Sequence, residues 1–235
     1  FRRGIYVLDR RIVWGIVAIG AAPSLINAAA SAVNAIINNS LLRYGGDTAV
    51  AAAGIFTTLS TLAVMSMSGI AQGMQPIVGF NYGAGRFSRM KRTYYLAVAS
   101  ASAISIISMA VGYLIPDLWA KAFTTSGSLI DTTVNAFRHG FWAFWLVGFQ
   151  VISTTFFQSI GKAGKSIFLS LARQVIFLIP LMLWLPRTMQ LDGIWLAFPL
   201  GDLAATLCTL VLILYQWRLF ARITSGTRPF HPESL

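Results

Sequence analysis

Six long apolar segments, separated by short polar or glycine-containing stretches, dominate this sequence. They cover about residues 12–42, 48–82, 93–115, 133–160, 166–186 and 193–217. Apolar residues follow one another in these segments instead of alternating with polar ones. Each segment is also longer than the roughly 10 residues of a membrane-spanning strand. A transmembrane helix needs about 20 apolar residues. The segments therefore predict an all-α polytopic membrane protein, a bundle of six transmembrane helices.

The composition supports a membrane protein. The chain is 56% hydrophobic and 11% charged, with a mean hydropathy of +0.69, whereas soluble domains are about 25% charged. The net charge of +11 comes from short clusters between uncharged runs, without the aromatic-interleaved basic face of nucleic-acid-binding proteins. We therefore expect the lipid bilayer as a partner, and no nucleic acid.

The positions of the cations predict the orientation. Fourteen of the eighteen Lys and Arg residues fall before the first segment or after the second, fourth and sixth. Lys162, Lys165 and Arg173 form the cluster assigned to the end of the fourth segment. Because cytoplasmic loops carry an excess of Lys and Arg, both termini are predicted to be cytoplasmic, in a multi-pass plasma-membrane protein.

Glycine and proline mark the expected breaks between helices. They occur at residues 44–47, 83–85, 116–117 and 161–164, and at Pro186 with Asp192 and Gly193. The first, second and fourth segments are longer than the span requires, so tilt, a kink at Pro23 or Pro76, or a helical extension beyond the lipid should absorb the excess. No strand precedes the glycines at 83–85, so a dinucleotide-binding loop is excluded.

The first segment carries a polar stripe. Pro23, Asn27, Ser31, Asn34 and Asn38 recur at intervals of three or four residues and share one helical face. An asparagine facing hydrocarbon would leave its donors and acceptors unpaired, so the stripe should face other helices or a wet cavity. Cavity lining and interhelical packing both remain open.

Two glutamines are further candidates for a pathway. Gln75 directly precedes Pro76, which leaves a carbonyl free one turn earlier and so favours a kink. Gln150 lies among the aromatic residues of the fourth segment. Those rings fit an interfacial belt or packing, and alternatively a wall that attracts flat organic cations.

Asp202 is the acid that stands out. It lies about eight residues into the sixth segment, roughly 12 Å deep at 1.5 Å per residue. A carboxylate there is costly unless it is paired, hydrated or protonated, so it is a candidate for a proton relay, ion coordination or cation binding. The alternative is a structural partner for an Arg or Asn of another helix. Pro199, three residues earlier, can open a carbonyl nearby.

Several motifs in order resemble one family across residues 5–217. They are LLRYGGDTAVAAAGI, GMQPIVGFNYGAGR, FFQSIGKAGKSIFLSLARQVIFLIPLMLWLP and LDGIWLAFPLGD. They resemble the C-terminal half of a multidrug and toxic compound extrusion (MATE) transporter. The resemblance implies a twelve-helix secondary transporter of two lobes that exports organic cations in exchange for Na+ or H+. Residues 1–235 would be its C-terminal lobe, helices seven to twelve, with the N-terminal lobe absent from this chain.

The resemblance also suggests which residues face the central cavity. It places Asn27, Asn34, Gln75, Gln150 and Asp202 as candidates, with no cofactor beyond the coupling ion. Segments 12–42 and 133–160 lack the cation-coordinating acids of one branch of the family, which argues against a sodium site of that kind. In the other branch the coupling acid lies in the N-terminal lobe, so Asp202 would be accessory.

Two further functions stay open. A flippase for polysaccharides or lipid-linked intermediates has a related architecture, but it would need a more cationic groove, for which Arg138 and Arg173 are the candidates. A non-transport membrane scaffold would use the polar stripes for packing alone. Enzyme chemistry is not expected, because the sequence offers no paired carboxylates, catalytic triad or metal cluster.

Overall fold

The computed structural model describes residues 10–224, with the side chains of residue 28 and of residues 30–223. Seven α-helices make up this part of the chain: α1 Arg10–Gly83, α2 Phe87–Leu114, α3 Pro116–Lys121, α4 Gly127–Gly140, α5 Val147–Ser159, α6 Ala163–Leu171 and α7 Ile179–Thr224. A 3-10 turn, Phe144–Leu146, precedes α5, and a π-helical turn, Ala172–Leu178, joins α6 to α7. The described residues contain no strand, so the all-α prediction is confirmed.

Helix α1 is interrupted at Gly46. This residue has φ 63° and ψ −164°, a conformation that glycine adopts without steric penalty. It divides α1 into a first arm, residues 10–45, and a second arm, residues 47–83. The break lies within the predicted interruption at residues 44–47.

Helix α7 reverses direction at Gln190, which has φ 50° and ψ −126°. A β-carbon at Gly193 would lie 2.5 Å from the Leu185 carbonyl oxygen, although residues eight apart in a straight helix are separated by about 12 Å. Further along, a β-carbon at Gly201 would lie 3.7 Å from the Leu178 Cα. The contact partner of Gly193 is Leu185, and that of Gly201 is the earlier residue Leu178. Residues 191–224 therefore run antiparallel to residues 163–189. We call these two helical stretches the C-terminal hairpin.

The prediction of one helix over residues 133–160 is wrong, because α4 and the segment Phe144–Ser159 meet at an angle of 56°. The bend lies at the 3-10 turn, a geometry in which side chains three residues apart eclipse. Phe141 and Phe144 accordingly stack, with ring centroids 4.5 Å apart. Gly140 makes room at the turn, where a β-carbon would lie 2.7 Å from the Phe56 ring.

Aromatic rings fill the bundle around this bend. Phe56 of the second arm contacts Phe137, Phe141, Trp195 and Phe198, with ring centroids 5.0–5.7 Å apart. Small residues allow closer approach between α2 and α5, where a β-carbon at Gly148 would lie 2.6 Å from the Ala101 carbonyl oxygen. Such small-residue contacts are typical of helices packed in membranes.

The outer surface of the bundle is apolar. Leu114, Phe80 and Met65 are 78%, 71% and 68% exposed, which suits a lipid-facing surface. By length and composition, three described helical stretches could cross a membrane: Ala30–Gly83, Phe87–Leu114 and Ala163–Ile223. The bent pair α4 and α5 adds a fourth when it is counted as one span.

Candidate functional site

The C-terminal hairpin brings Arg173 and Asp202 together. Arg173 Nε lies 2.7 Å from Asp202 Oδ1, and the two side chains are 36% and 12% exposed. No other ion pair is recorded between two described side chains. A buried carboxylate is stabilised when a paired cation replaces its lost hydration. The structural alternative for Asp202, an arginine partner on a neighbouring helix, is therefore realised.

Arg173 lies in the π-helical turn between α6 and α7. The Ile179 amide donates a hydrogen bond to the Gln174 carbonyl, five residues earlier, which is the wide pattern of a π-turn. Gln174 also presents a buried side-chain oxygen for which the described residues supply no donor. The turn therefore places one guanidinium and one unsatisfied amide acceptor side by side.

Gln150 of α5 fixes the backbone beside the ion pair. Its Nε2 donates to the Asp202 carbonyl oxygen at 2.7 Å and to Thr206 Oγ1 at 2.6 Å. The Thr206 hydroxyl donates to the same carbonyl at 2.7 Å. Gln150 is 5% exposed, so α5 is tied to α7 through a buried polar link rather than through apolar contact alone.

A cavity of about 220 Å³ opens onto the ion pair. The first arm, the π-turn and α7 enclose it, and its polar lining residues are Asn34, Arg173, Gln174 and Asp202. At roughly 30 Å³ per water molecule, it has room for several waters or a small cation.

A second cavity of about 230 Å³ lies towards α5, and its polar lining includes Gln150, Thr154, Ser170 and Thr209. Arg173 and Gln174 line both cavities. These two residues therefore connect the linings of the two cavities.

The structure unites three of the candidate residues, Asn34, Gln150 and Asp202. Gln150 reaches the site through hydrogen bonds, and Asn34 lines the smaller cavity. Asn38 and Gln75 are exposed and line neither cavity. Their role in a pathway stays a prediction.

The proline candidates do not coincide with the backbone breaks. Among the described helices, non-helical φ/ψ angles inside α1 and α7 occur at Gly46 and Gln190. Pro76 and Pro199 lie within helical segments, and their action as hinges stays a prediction. Pro23 and Asn27 lie outside the residues whose side chains the structure describes.

Sequence reasoning missed Gln174 and Thr206, and it considered Arg173 only for the cationic groove of a flippase. Arg173 was grouped with the cations that end the fourth segment, but it lies within the helical stretch Ala163–Ile223. Its position about ten residues into that stretch, roughly 15 Å from its start, was the available signal. An arginine at that depth requires a partner, and Asp202 was the acid predicted inside a helix.

Comparison with known structures places this arrangement in one fold. An inward-facing multidrug resistance MATE transporter of the MOP superfamily matches 92% of the chain, with a TM-score of 0.84 and 21% identity, over 50% of its own length. The MATE multidrug transporter DinF-BH matches 91% with a TM-score of 0.77 and 35% identity, over 48% of its length. A MOP superfamily transporter from Pyrococcus furiosus, whose binding pocket is described as having reverse polarity, matches 93% with a TM-score of 0.79 and 20% identity, over 49% of its length.

Sequence relatives agree with the structural ones. Multidrug export protein MepA of Staphylococcus aureus is 23% identical over 82% of this chain and 42% of its own length. The Staphylococcus haemolyticus protein of the same name is 21% identical over 86% of this chain and 44% of its own. The chain thus spans about half the length of these relatives. The MatE family profile matches residues 23–184, more than half of the sequence, and the chain belongs to the MatE family.

Proposed function

We propose that this chain is the C-terminal lobe of a two-lobe secondary transporter that exports organic cations in exchange for H+ or Na+. The lobe has six membrane-spanning helices, and both of its termini are cytoplasmic. The breaks at Gly46 and Gln190 support this count, because each divides a helix far longer than a membrane is thick. The stretch Ala30–Gly83 alone has 54 residues, about 80 Å of straight helix against about 30 Å of hydrocarbon.

Dividing the two long helices gives alternating directions. The first arm, the second arm, α2, the bent pair α4 and α5, and the two sides of the C-terminal hairpin make six spans. Lys162 and Lys165 then lie at the same membrane face as Arg86 and Arg89, in agreement with the positive-inside bias. Arg173 no longer counts among the cytoplasmic cations, since it pairs with Asp202 inside the bundle.

One observation carries the transport proposal: the Arg173–Asp202 ion pair borders a cavity rather than a sealed core. Arg173 neutralises the carboxylate while the site is empty of substrate. An organic cation that reaches Asp202 competes with the guanidinium for the same oxygen, and protonation of Asp202 releases Arg173. The 36% exposure of the Arg173 side chain leaves it room to move into either cavity. These charges support the proposed cation exchange.

The remaining half of the transporter is the N-terminal lobe. Alternating access moves one lobe against the other around a site near the membrane midplane. The relatives that match this chain are about twice as long. We therefore expect transport from the full-length parent protein, and none from residues 1–235 alone.

A flippase or transporter for phosphate-bearing lipid intermediates is the second candidate, and Arg173 is the observation that favours it. Arg173 lines two cavities, and among its guanidinium nitrogens only Nε is bonded to a described residue. Arginine is well suited to phosphate because it presents several donors in one plane. Such a substrate would bind Arg173 and require Asp202 to withdraw, the reverse of the cation mechanism.

The test is ethidium efflux from drug-sensitised cells that express the full-length parent, with Na+ concentration and pH varied. Asp202→Asn should abolish most efflux at matched expression, and the ion whose gradient drives wild-type efflux identifies the coupling ion. Asp131→Asn is the matched control, because Asp131 is exposed at the start of α4. Equal efflux from wild type and Asp202→Asn would reject the proposed role of Asp202 and favour a structural pair.

A further inference from the structure

Two lysines share one buried amide at the opposite end of the C-terminal hairpin. Lys162 Nζ donates to Gln216 Oε1 at 2.7 Å, and Lys165 Nζ donates to the same oxygen at 3.0 Å. Gln216 is 0% exposed and Lys162 is 9% exposed. Two ammonium groups thus meet at one amide oxygen, which has a partial negative charge but no net charge.

The neighbouring polar groups are also donors. Gln216 Nε2 and Ser166 Oγ are buried, and the described residues supply no partner for either atom. Lys162, Lys165 and Ser166 have the i, i+3, i+4 spacing of one helical face. The first turn of α6 has no side-chain cap, so its free amides add positive potential at the same place.

Lys165 has no acid among its described contacts. Besides Gln216, its ammonium lies over the rings of Phe157 and Tyr215, 5.4 Å and 5.3 Å from their centroids. Ring faces offset part of a positive charge, but they accept no strong hydrogen bond. The Gln216 oxygen, the strong acceptor that Lys165 reaches, is already shared with a second ammonium, while two buried donors beside it are unsatisfied.

We propose that the cluster Lys162, Lys165, Ser166 and Gln216 is a binding site for a phosphate group, supplied by a lipid headgroup or by a soluble phosphate. When the half-buried Lys165 side chain turns outward, it uncovers the Gln216 amide nitrogen and the Ser166 hydroxyl. A phosphate oxygen then accepts hydrogen bonds from these two groups and from the Lys165 ammonium, and the phosphate charge offsets that of Lys165. The site is distinct from the Arg173–Asp202 pair and does not depend on the proposed transport.

The surroundings suit a headgroup at the edge of a membrane. Tyr215, Leu214 and Phe168 are 59%, 49% and 48% exposed beside the cluster, so acyl chains have an apolar surface to contact. The same end carries a cavity of about 670 Å³ lined by Arg86, Arg89 and Lys91. Basic pockets between transmembrane helices bind phosphorylated headgroups in this way.

The test is lipid binding to the purified full-length parent protein in detergent, measured by native mass spectrometry. Dioleoyl phosphatidylglycerol is the probe, and dioleoylglycerol, with the same acyl chains and no phosphate, is its control. Lys165→Met should weaken phosphatidylglycerol binding about tenfold or more, the factor that one charge-assisted hydrogen bond contributes. Lys165→Arg should restore most of it. Lys121→Met, an exposed lysine at the other end of the bundle, should change nothing.

Inorganic phosphate distinguishes the two sources. Failure of millimolar phosphate to displace phosphatidylglycerol assigns the site to a headgroup, and displacement together with direct phosphate binding assigns it to soluble phosphate. Equal binding of the two lipids, or wild-type affinity in Lys165→Met, would overturn the proposal. Should Lys165→Met fail to fold, Ser166→Ala replaces it; this variant should lose severalfold affinity, and no loss would likewise overturn the proposal.

Discussion

The C-terminal hairpin contains two cationic sites with different acceptors. Arg173 meets the carboxylate of Asp202 at 2.7 Å, whereas Lys162 and Lys165 meet the neutral amide oxygen of Gln216. Both sets of hydrogen bonds join the two sides of the C-terminal hairpin. Holding the two sides together therefore does not explain why one acceptor is charged and the other is neutral. In the first site the Asp202 carboxylate already neutralises Arg173, and another cation must compete with Arg173 for that carboxylate. In the second the shared acceptor is neutral, and an anion completes the site.

The local backbone matches this division. Arg173 lies in a π-turn between two cavities, where a change of side-chain direction needs little space. Lys162 and Lys165 lie at the start of a regular α-helix and beside exposed aromatic residues. We therefore expect changes at Arg173–Asp202 to alter transport and folding together, and changes at the lysines to alter anion binding first.

The largest expected effect on stability follows from removing Asp202. Breaking a buried ion pair costs about 3–5 kcal/mol, and because Arg173 is 36% exposed, we expect about 2–3 kcal/mol for Asp202→Ala. The double variant Arg173→Met/Asp202→Leu should recover more than half of that loss. Thermal unfolding of the full-length protein in detergent measures both. The control Asp131→Ala should change the free energy of unfolding by no more than about 0.5 kcal/mol. An equally small effect of Asp202→Ala would show that the Arg173–Asp202 pair does not stabilise the fold.

The hairpin that both sites require can be strained at Gly193. A β-carbon there would lie 2.5 Å from the Leu185 carbonyl oxygen, so Gly193→Ala should destabilise the protein by about 1–3 kcal/mol, as overpacking does. It should weaken ethidium and phosphatidylglycerol binding alike. Gly69→Ala is the control, since a β-carbon there meets nothing within 4 Å. Unchanged melting of Gly193→Ala would argue against the antiparallel contact.

Gln150 tests whether the polar link to α5 belongs to the first site. Gln150→Leu removes two hydrogen bonds, but Thr206 still donates to the Asp202 carbonyl. We expect about 1–2 kcal/mol of lost stability in thermal unfolding and unchanged phosphatidylglycerol binding. Gln75→Leu should have no measurable effect, because Gln75 is exposed. A loss of lipid binding in Gln150→Leu would show that the two sites are coupled.

The smallest effect distinguishes two asparagines of the first arm. Both side chains are exposed, but Asn34 lines the cavity beside Asp202 and Asn38 does not. Asn34→Ala should weaken ethidium binding about two- to fivefold, the contribution of one neutral hydrogen bond, and Asn38→Ala should leave it unchanged. Equilibrium binding to the purified full-length protein measures this difference. A larger loss in Asn38→Ala than in Asn34→Ala would show that ethidium binds nearer to Asn38 than to Asn34.

Local patterns were enough to predict the helices, most of their breaks and the family. Gly46 and Gly85 adopt positive φ within predicted interruptions, because the requirement for glycine is local. The continuous apolar segments predicted a plasma-membrane protein, which the family confirms. The count of six spans and the cytoplasmic termini stay predictions.

Tertiary contacts account for what the sequence did not reveal. At the bend between α4 and α5, Phe137 packs against Phe56, which is 81 residues away in the chain. Arg173 and Asp202 lie on different helices, and their pairing depends on the reversal at Gln190, a residue with no glycine-like signal. Asp202 was identified as a candidate from its depth, but its partner could not be chosen without the hairpin register.

The most direct test of the account is equilibrium binding of ethidium to the purified full-length parent protein, comparing wild type with Asp202→Asn and Arg173→Gln. Competition between the substrate cation and Arg173 for Asp202 predicts opposite signs. Asp202→Asn weakens binding because the carboxylate is lost, and Arg173→Gln tightens it because the competing guanidinium is removed. Weaker binding in both variants would contradict the account and identify the ion pair as a structural element that the site needs intact.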